Sequence, residues 1–270
     1  MFHQIHLILS FKHAILQNYD YFRSKIGNQG IMSEDKAIAG QVYIVTGGSS
    51  GLGKAFAKEL VLNLANVVIT GRNLEKLKKV ASDLGANCLW CHADVTKDEE
   101  LDNLIKFALD KFGRLDGIIN NAGIGGWSPL DELTREQMRE VYEVNVFGAA
   151  MLAAKATPIF KKQNHGTIVN VASTAALKGY KYGTIYSSSK FALRSMSQCW
   201  QAELRPHNVR VILINPSEVP TAFGKEDRVE KELVENKLTP KEIADVLIAS
   251  LKMDTRGFIP EVSIFATNPF

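Results

Sequence analysis

The chain has 270 residues, 46% hydrophobic and 23% charged, a composition that forms a packed core and excludes a disordered or collagen-like chain. Its net charge of +3, with no block of like charges, gives no electrostatic basis for binding nucleic acid or an anionic membrane. Three cysteines are too few for a disulfide framework and fit a reducing, cytoplasmic setting, and no apolar run is long enough to span a bilayer.

Residues 1–31 carry an apolar patch (Ile5, Leu7, Ile8, Leu9, Phe11) interrupted by Lys12 and His13, and they lack a small-residue cleavage site. That pattern makes a poor signal peptide. It is read as an N-terminal extension outside the fold, with residues 32–270 as a single domain; an amphipathic anchor is the alternative. From residue 40 strands and helices alternate. Residues 41–46 form a short apolar run, and Leu52, Phe56, Leu60 and Leu64 then recur at four-residue steps, which predicts a strand, a turn and a helix. The pattern repeats with strands at 66–70, 87–92 and 115–120, followed by helices from Asn73, Lys97 and Thr134. Later strands at 166–171, 209–215 and 258–264 are separated by helices at 184–204 and 240–252. Seven strands alternating with helices predict an α/β fold: a doubly wound, mostly parallel sheet with helices on both faces.

The first turn, Thr46-Gly47-Gly48-Ser49-Ser50-Gly51-Leu52-Gly53, sets its glycines between a strand and a helix. There, backbone N–H groups and the positive helix end can approach a pyrophosphate that side chains would obstruct, which points to a dinucleotide. At the end of the second strand, where an acid would bind the ribose hydroxyls of NAD, the chain reads Thr70-Gly71-Arg72-Asn73. Arg72 offers a forked donor to a 2′-phosphate, so NADP(H) is preferred and NAD(H) remains possible. Further on, Tyr186 and Lys190 are four apart, which on a helix puts them on one face. A nearby ammonium favours phenolate, so Lys190 is expected to draw the Tyr186 pKa down toward the working pH. Ser173 follows an apolar strand and therefore sits at the carboxyl edge of the sheet, where ligands bind in this architecture.

Together these residues resemble the short-chain dehydrogenase/reductase family. The chain carries that family's TGxxxGxG turn at 46–53, its Asp94-Val95 pair, its Asn-Asn-Ala-Gly at 120–123, and the tetrad Asn145, Ser173, Tyr186 and Lys190, with serine and tyrosine 13 positions apart. The resemblance spans residues 38–264 and implies a Rossmann-type fold and hydride transfer between a nicotinamide and a carbonyl or alcohol. By that resemblance Tyr186 is the acid/base and Ser173 hydrogen-bonds the reacting oxygen. Lys190 binds the nicotinamide ribose, and Asn145, in mid-helix, holds a water linked to Lys190. Cofactor contacts are implied for Thr46, Gly47, Ser49, Ser50, Gly51, Leu52, Gly53, Arg72, Asp94, Val95, Asn121, Ala122, Gly123, Tyr186, Lys190, Pro216, Val219 and Thr221. No metal is expected. The family's Pro-Gly after the sixth strand is here Pro216-Ser217, followed by Glu218 and Pro220, a local departure at the nicotinamide side.

Cys88-Leu-Trp-Cys91-His92 spells a haem-attachment pattern, but it lies in a strand, where residues three apart face opposite ways. His165 and His207 are read as solvated loop positions. Trp127, Leu177, Tyr180 and Tyr182 are candidates for an apolar substrate wall. A 3-oxoacyl thioester, a 3-hydroxy acid or a simple ketone all suit it. The helices around residues 141–156 and 186–200 are apolar nearly all round, which calls for two buried faces and implies a homo-oligomer, tetramer or dimer. The rival readings are a non-catalytic nucleotide-binding regulator, against which the intact tetrad argues, and a related epimerase or dehydratase.

Overall fold

The structure, a computed structural model, describes residues 37–224 and 232–269. In strand β1 (Val42–Thr46), Val42 and Ile44 bury into one core layer while Tyr43 and Val45 bury into the other. Such a strand is covered on both faces, so it reads as a continuous apolar run. The same holds for β2 (Asn66–Gly71), β4 (Gly117–Asn120), β5 (Gly166–Val171) and β6 (Val209–Pro216), with β3 (Cys88–His92) and β7 (Glu261–Ile264) at the edges. The order is β3-β2-β1-β4-β5-β6-β7 and all six pairings are parallel, so the expected seven-stranded sheet is wholly parallel among the described residues.

Helices α1 (Gly51–Leu62), α2 (Leu74–Leu84) and α7 (Pro240–Lys252) supply one core layer through Phe56, Leu60, Leu77, Ile243 and Leu247. The other face is packed by α3 (Asp98–Phe112), α5 (Ala149–Gln163) and α6 (Thr184–Leu204), through Leu101, Leu104, Leu152, Phe160 and Leu204. Helix starts follow their side chains: the Asn73 carboxamide accepts from the Lys76 N–H at 2.9 Å, and Thr239 with Glu242 forms a capping box ahead of Pro240. No helix among the described residues is long and apolar enough to cross a membrane.

Four boundaries differ from the sequence reading by more than a single residue. The helix at 51 stops at Leu62, because Leu64 turns into the left-handed region at φ 63°. Strands β4 and β7 begin at Gly117 and Glu261, two and three residues later than the apolar runs. The long helix expected from Thr134 is broken in the middle: α4 (Arg135–Tyr142) passes through a π-helical turn, Glu143–Gly148, into α5. The 1–31 extension lies outside the described residues. Cys88 joins the core layer under α2, while Cys91 packs against the layer under α3, on opposite faces of β3. Burial pushes the Cys88 thiol up to about 12.

At the amino edge of the sheet, away from the strand ends that carry the motifs, one buried carboxylate joins three strands. Asp116 accepts from the Val42 N–H at 2.8 Å and from Arg114 through Nε at 2.8 Å and a terminal guanidinium nitrogen at 2.6 Å. Its own N–H donates to the Val42 carbonyl, its carbonyl accepts from the Thr167 N–H, and His165 Nε2 lies 3.6 Å away. His165 is therefore part of this clamp and not merely solvated. Burial drives the Asp116 carboxyl upward, but the hydrogen bonds from His165, Arg114 and the Val42 N–H outweigh it and hold the group below 3.8. A carboxylate with a depressed native pKa adds stability above its unfolded value and loses it as pH falls through the native one. Asp116→Ala, which orphans the Val42 N–H, should cost about 3 kcal/mol at pH 7 in urea unfolding, with the deficit shrinking below about pH 4.

Candidate active site

Where the strand order reverses, between β1 and β4, the chain leaves the sheet in two directions and opens a crevice at the carboxyl ends. Thr46, the last residue of β1, donates to the Ile119 carbonyl at 3.2 Å and accepts from the N–H groups of Asn121 and Ala122 at 3.0 and 2.9 Å. Asn121 returns a bond from Nδ2 to the Thr46 carbonyl at 2.8 Å. The glycine turn is thus clamped to the β4 loop. Gly47 sits at φ 66°, and a Cβ on it would come 3.1 Å from the Ala122 Cα; a Cβ on Gly53 would lie 2.3 Å from the Gly47 carbonyl oxygen. Side chains cannot enter this turn, so helix α1 starts tight against it. Ser50 makes no side-chain cap there and the first turn holds no acid, unlike the capped starts of α2, α4 and α7. An uncapped positive helix end over a glycine cradle suits a pyrophosphate.

The crevice is a cleft of about 1260 Å³. Its far end is lined by Gly71, Arg72, Lys76, Asp94 and Val95, its middle by Gly47, Ser49, Ser50, Gly51 and Leu52, and its near end by Tyr186, Lys190 and the 216–223 loop. Arg72 has no carboxylate partner among the described residues, while Asp94 accepts from the N–H and hydroxyl of Thr96, both at 3.0 Å. A nicotinamide dinucleotide fits this cradle. The departure from the family pattern at Ser217 is absorbed: the Ser217 N–H donates to the Ile264 carbonyl at 2.8 Å, Glu218 pairs with Lys237 at 2.9 Å, and buried Thr221 stands against Gly51.

Most of the expected site residues converge on this cleft, among them Asn121, Ala122, Gly123, Ser173, Pro216, Val219 and Thr221. Three do not line it. Thr46 and Gly53 lie beneath the turn and shape it. Asn145 lies in mid-helix, in the π-helical turn, and its side chain is already spoken for: Oδ1 accepts from the Ile124 N–H at 2.9 Å, and Nδ2 donates to the Ile124 carbonyl at 2.9 Å and to Ser189 Oγ at 3.1 Å. Of the expected apolar wall, Trp127 and Tyr180 face the cleft, whereas Leu177 and Tyr182 do not; Phe223, which no sequence pattern marks, joins them. Its ring lies 5.5 Å from that of Tyr186 and 6.5 Å from that of Trp127.

Around the phenol, Ser173 Oγ accepts from the Ala175 N–H at 3.1 Å, and Ser187, next to Tyr186 on α6, donates to the Ala175 carbonyl at 2.8 Å. Lys190 is buried, donates to the Val171 carbonyl at 2.9 Å, and stands 5.7 Å from the centre of the Tyr186 ring. Burial pushes Tyr186 up to about 12, against a hydrogen bond from Ser173 that lowers it and with the Tyr180 charge, which also raises it. This corrects the expected downward shift: the ammonium is aimed at the Val171 carbonyl, so in the protein alone desolvation governs the phenol. Burial also lowers Lys190 to about 8. Between that value and the unfolded one of about 10.5 the native state binds fewer protons, so stability rises with pH across the window. Urea midpoints should show Lys190→Met more stable than the wild type at pH 7.5, with the advantage gone by about pH 10.5.

The family model of the short chain dehydrogenases matches residues 41–232. An uncharacterised oxidoreductase of Staphylococcus epidermidis is 32% identical over 225 residues, covering 83% of this chain and 96% of its own, and one from Staphylococcus aureus is 34% identical with the same coverage. Among solved structures, an alcohol dehydrogenase from the archaeon Thermococcus sibiricus complexed with 5-hydroxy-NADP superposes with a TM-score of 0.78 at 29% identity, over 84% of this chain and 97% of its own. A 3-ketoacyl-(acyl-carrier-protein) reductase from Brucella melitensis complexed with NADH gives 0.77 at 27% identity, over 86% and 100%. The clamped glycine turn, the serine, tyrosine and lysine at one end of the cleft, and these likenesses all lead to one assignment: the chain belongs to the short-chain dehydrogenase family and is a nicotinamide-dependent oxidoreductase.

Proposed function

We propose that this protein reduces a carbonyl to a secondary alcohol, or runs the reverse, with Tyr186 as the acid/base and NADP(H) preferred over NAD(H). The observation that carries the proposal is the meeting of Ser173, Tyr186 and Lys190 at one end of a cleft whose other end presents Arg72. The chemistry that a bound reduced nicotinamide supplies is hydride donation to the carbonyl carbon. Tyr186 delivers a proton to the carbonyl oxygen as negative charge builds there. Ser173, held by the Ala175 N–H and hydrogen-bonded to Tyr186, turns its hydroxyl proton to the same oxygen when a carbonyl enters. Lys190 lies next to Gly123, where a Cβ would come 3.6 Å from its Nζ, and serves both to hold the ribose hydroxyls and to favour phenolate once the proton has left.

Gly47, Ser49, Ser50, Gly51 and Leu52 would hold the pyrophosphate, Asp94 and Val95 the adenine side, and Arg72 a 2′-phosphate. Asn121, Ala122, Gly123, Pro216, Val219 and Thr221 would line the nicotinamide end, while Thr46, Gly53 and Asn145 act beneath the site as supports. The substrate class is a 3-oxoacyl thioester or a 3-hydroxy acid, a reading supported by the likeness to the ketoacyl reductase. The enzyme is further proposed to be cytoplasmic, to comprise residues 32–270 beyond an N-terminal extension, and to form a homo-oligomer. Phe147, Met151 and Phe191, 38–49% exposed on neighbouring helices, support an interface that light scattering would reveal.

Turnover of a 3-oxo substrate, followed by loss of reduced-cofactor absorbance, should fall at least about 100-fold in Tyr186→Phe, while cofactor affinity stays within about threefold. The same assay should run faster with NADPH than with NADH. Undiminished turnover in the variant, or preference for NADH, would overturn the respective assignment.

A further inference from the structure

Opposite Tyr186, two aromatic side chains join the loops that follow β4 and β5. The Trp127 indole N–H donates to the Tyr180 phenol oxygen at 3.1 Å, although both residues are about half exposed. Each ring rests on a glycine. A Cβ on Gly125 would come 2.2 Å from the Trp127 ring, and one on Gly183 would come 2.7 Å from the Tyr180 ring. The loop is tied down as well, since the Gly183 N–H donates to the Tyr180 carbonyl at 3.0 Å and the Ser128 N–H to the Tyr182 carbonyl at 3.2 Å. Two exposed aromatic rings, each seated where only glycine fits and hydrogen-bonded to one another, are held in place far more firmly than surface rings usually are.

A phenol has one proton to donate and two lone pairs. The bond from Trp127 takes one lone pair of Tyr180, and the Tyr180 O–H has no acceptor among the described residues, so its proton is left for something in the cleft it lines. The oxygen is close enough to the phenol of Tyr186 for its charge to be felt there. Two residues before it, Lys178 also lines the cleft, exposed and with no carboxylate partner among the described residues.

We infer that Tyr180, oriented by Trp127, and Lys178 form a subsite for a second oxygen function of the substrate, and that the substrate is an oxo acid whose carboxylate they bind. The inference rests on the proposed carbonyl reduction and names its substrate class. A thioester shares the acceptor oxygen read by Tyr180 but not the charge read by Lys178, which separates the two classes. A simple ketone has neither. Trp127 and Phe223 supply the apolar side of the same space, against the carbon chain.

The test uses three carbonyl compounds with one carbon skeleton: a 3-oxo acid, its methyl ester and the ketone lacking the second oxygen. kcat/KM is measured for each in the full chain and in its Tyr180→Phe and Lys178→Gln variants. Tyr180→Phe should lower the acid-to-ketone and ester-to-ketone ratios about tenfold, the effect of one hydrogen bond. Lys178→Gln should lower the acid-to-ester ratio about fivefold and leave the ester-to-ketone ratio in place. The second readout involves no turnover: quenching of tryptophan fluorescence as the 3-oxo acid is added to protein saturated with oxidised cofactor, a pair that cannot react. Its dissociation constant should rise by similar factors in the two variants. Ratios and dissociation constants that do not change in Tyr180→Phe would overturn the subsite. A Lys178 variant that leaves the acid-to-ester ratio intact would overturn the acid in favour of an ester or thioester. If none of the three compounds turns over while Tyr180-dependent binding persists, carbonyl reduction fails and the subsite stands.

Discussion

The molecule depends on a clamp only a few atoms across. Where β1 and β4 part, the Thr46 hydroxyl is bonded on three sides, to the Ile119 carbonyl and to two successive N–H groups of the β4 loop, and Asn121 answers with its amide on the β1 end. Parallel neighbours do not share a hairpin, so nothing local holds their carboxyl ends in step. The side chains at 46 and 121 do that work, and they set the separation between the glycine turn and the loop that leads to Gly123. Neither residue needs to touch a ligand to decide whether one fits.

Behind this clamp the polar groups of the site form buried chains in which each member has a partner. Asn120 Nδ2 donates to Asn170 Oδ1 at 2.9 Å, and Asn170 in turn donates to Ser197 at 2.8 Å, joining β4, β5 and α6. Ser189 donates to the Tyr186 carbonyl at 2.7 Å while accepting from Asn145. In a low-dielectric interior such chains specify one arrangement, because a change in any member leaves another unsatisfied. Desolvation is the cost of the same setting, and it governs both titrating groups at the near end of the cleft: it raises the phenol of Tyr186 and lowers the ammonium of Lys190. Each is thereby held in its neutral form more readily than in water.

The order of strands and helices was legible in the sequence because fully covered parallel strands are uninterrupted apolar runs between glycine-rich turns. The Tyr186 and Lys190 pair was legible because helical spacing is arithmetic. Less could be read where tertiary contacts override local pattern. Leu64 continues the four-residue apolar rhythm of α1 but adopts a left-handed backbone conformation. His165 has no sequence signal that distinguishes a loop position from a partner of Asp116, 49 residues earlier. Phe223 belongs to an irregular loop, where periodicity carries no information. The sign of the Tyr186 shift is hidden for a related reason: spacing shows that a lysine is near, but not that its hydrogen bond goes to the Val171 carbonyl.

The π-helical turn at Glu143–Gly148 has a consequence for the whole second layer. Each helical residue rotates the chain by about 100°, so the wider turn acts as a phase shifter between α4 and α5. Through it, Asn145 faces the Ile124 backbone and Ser189, while Leu152, Ala153, Ala156 and Phe160 still meet the sheet. Winding the same residues as an ordinary α-helix would turn the apolar stripe of α5 out of register with β4 and β5. The irregularity that serves the active centre is therefore also a structural comma, on which the reading frame of the core behind it depends.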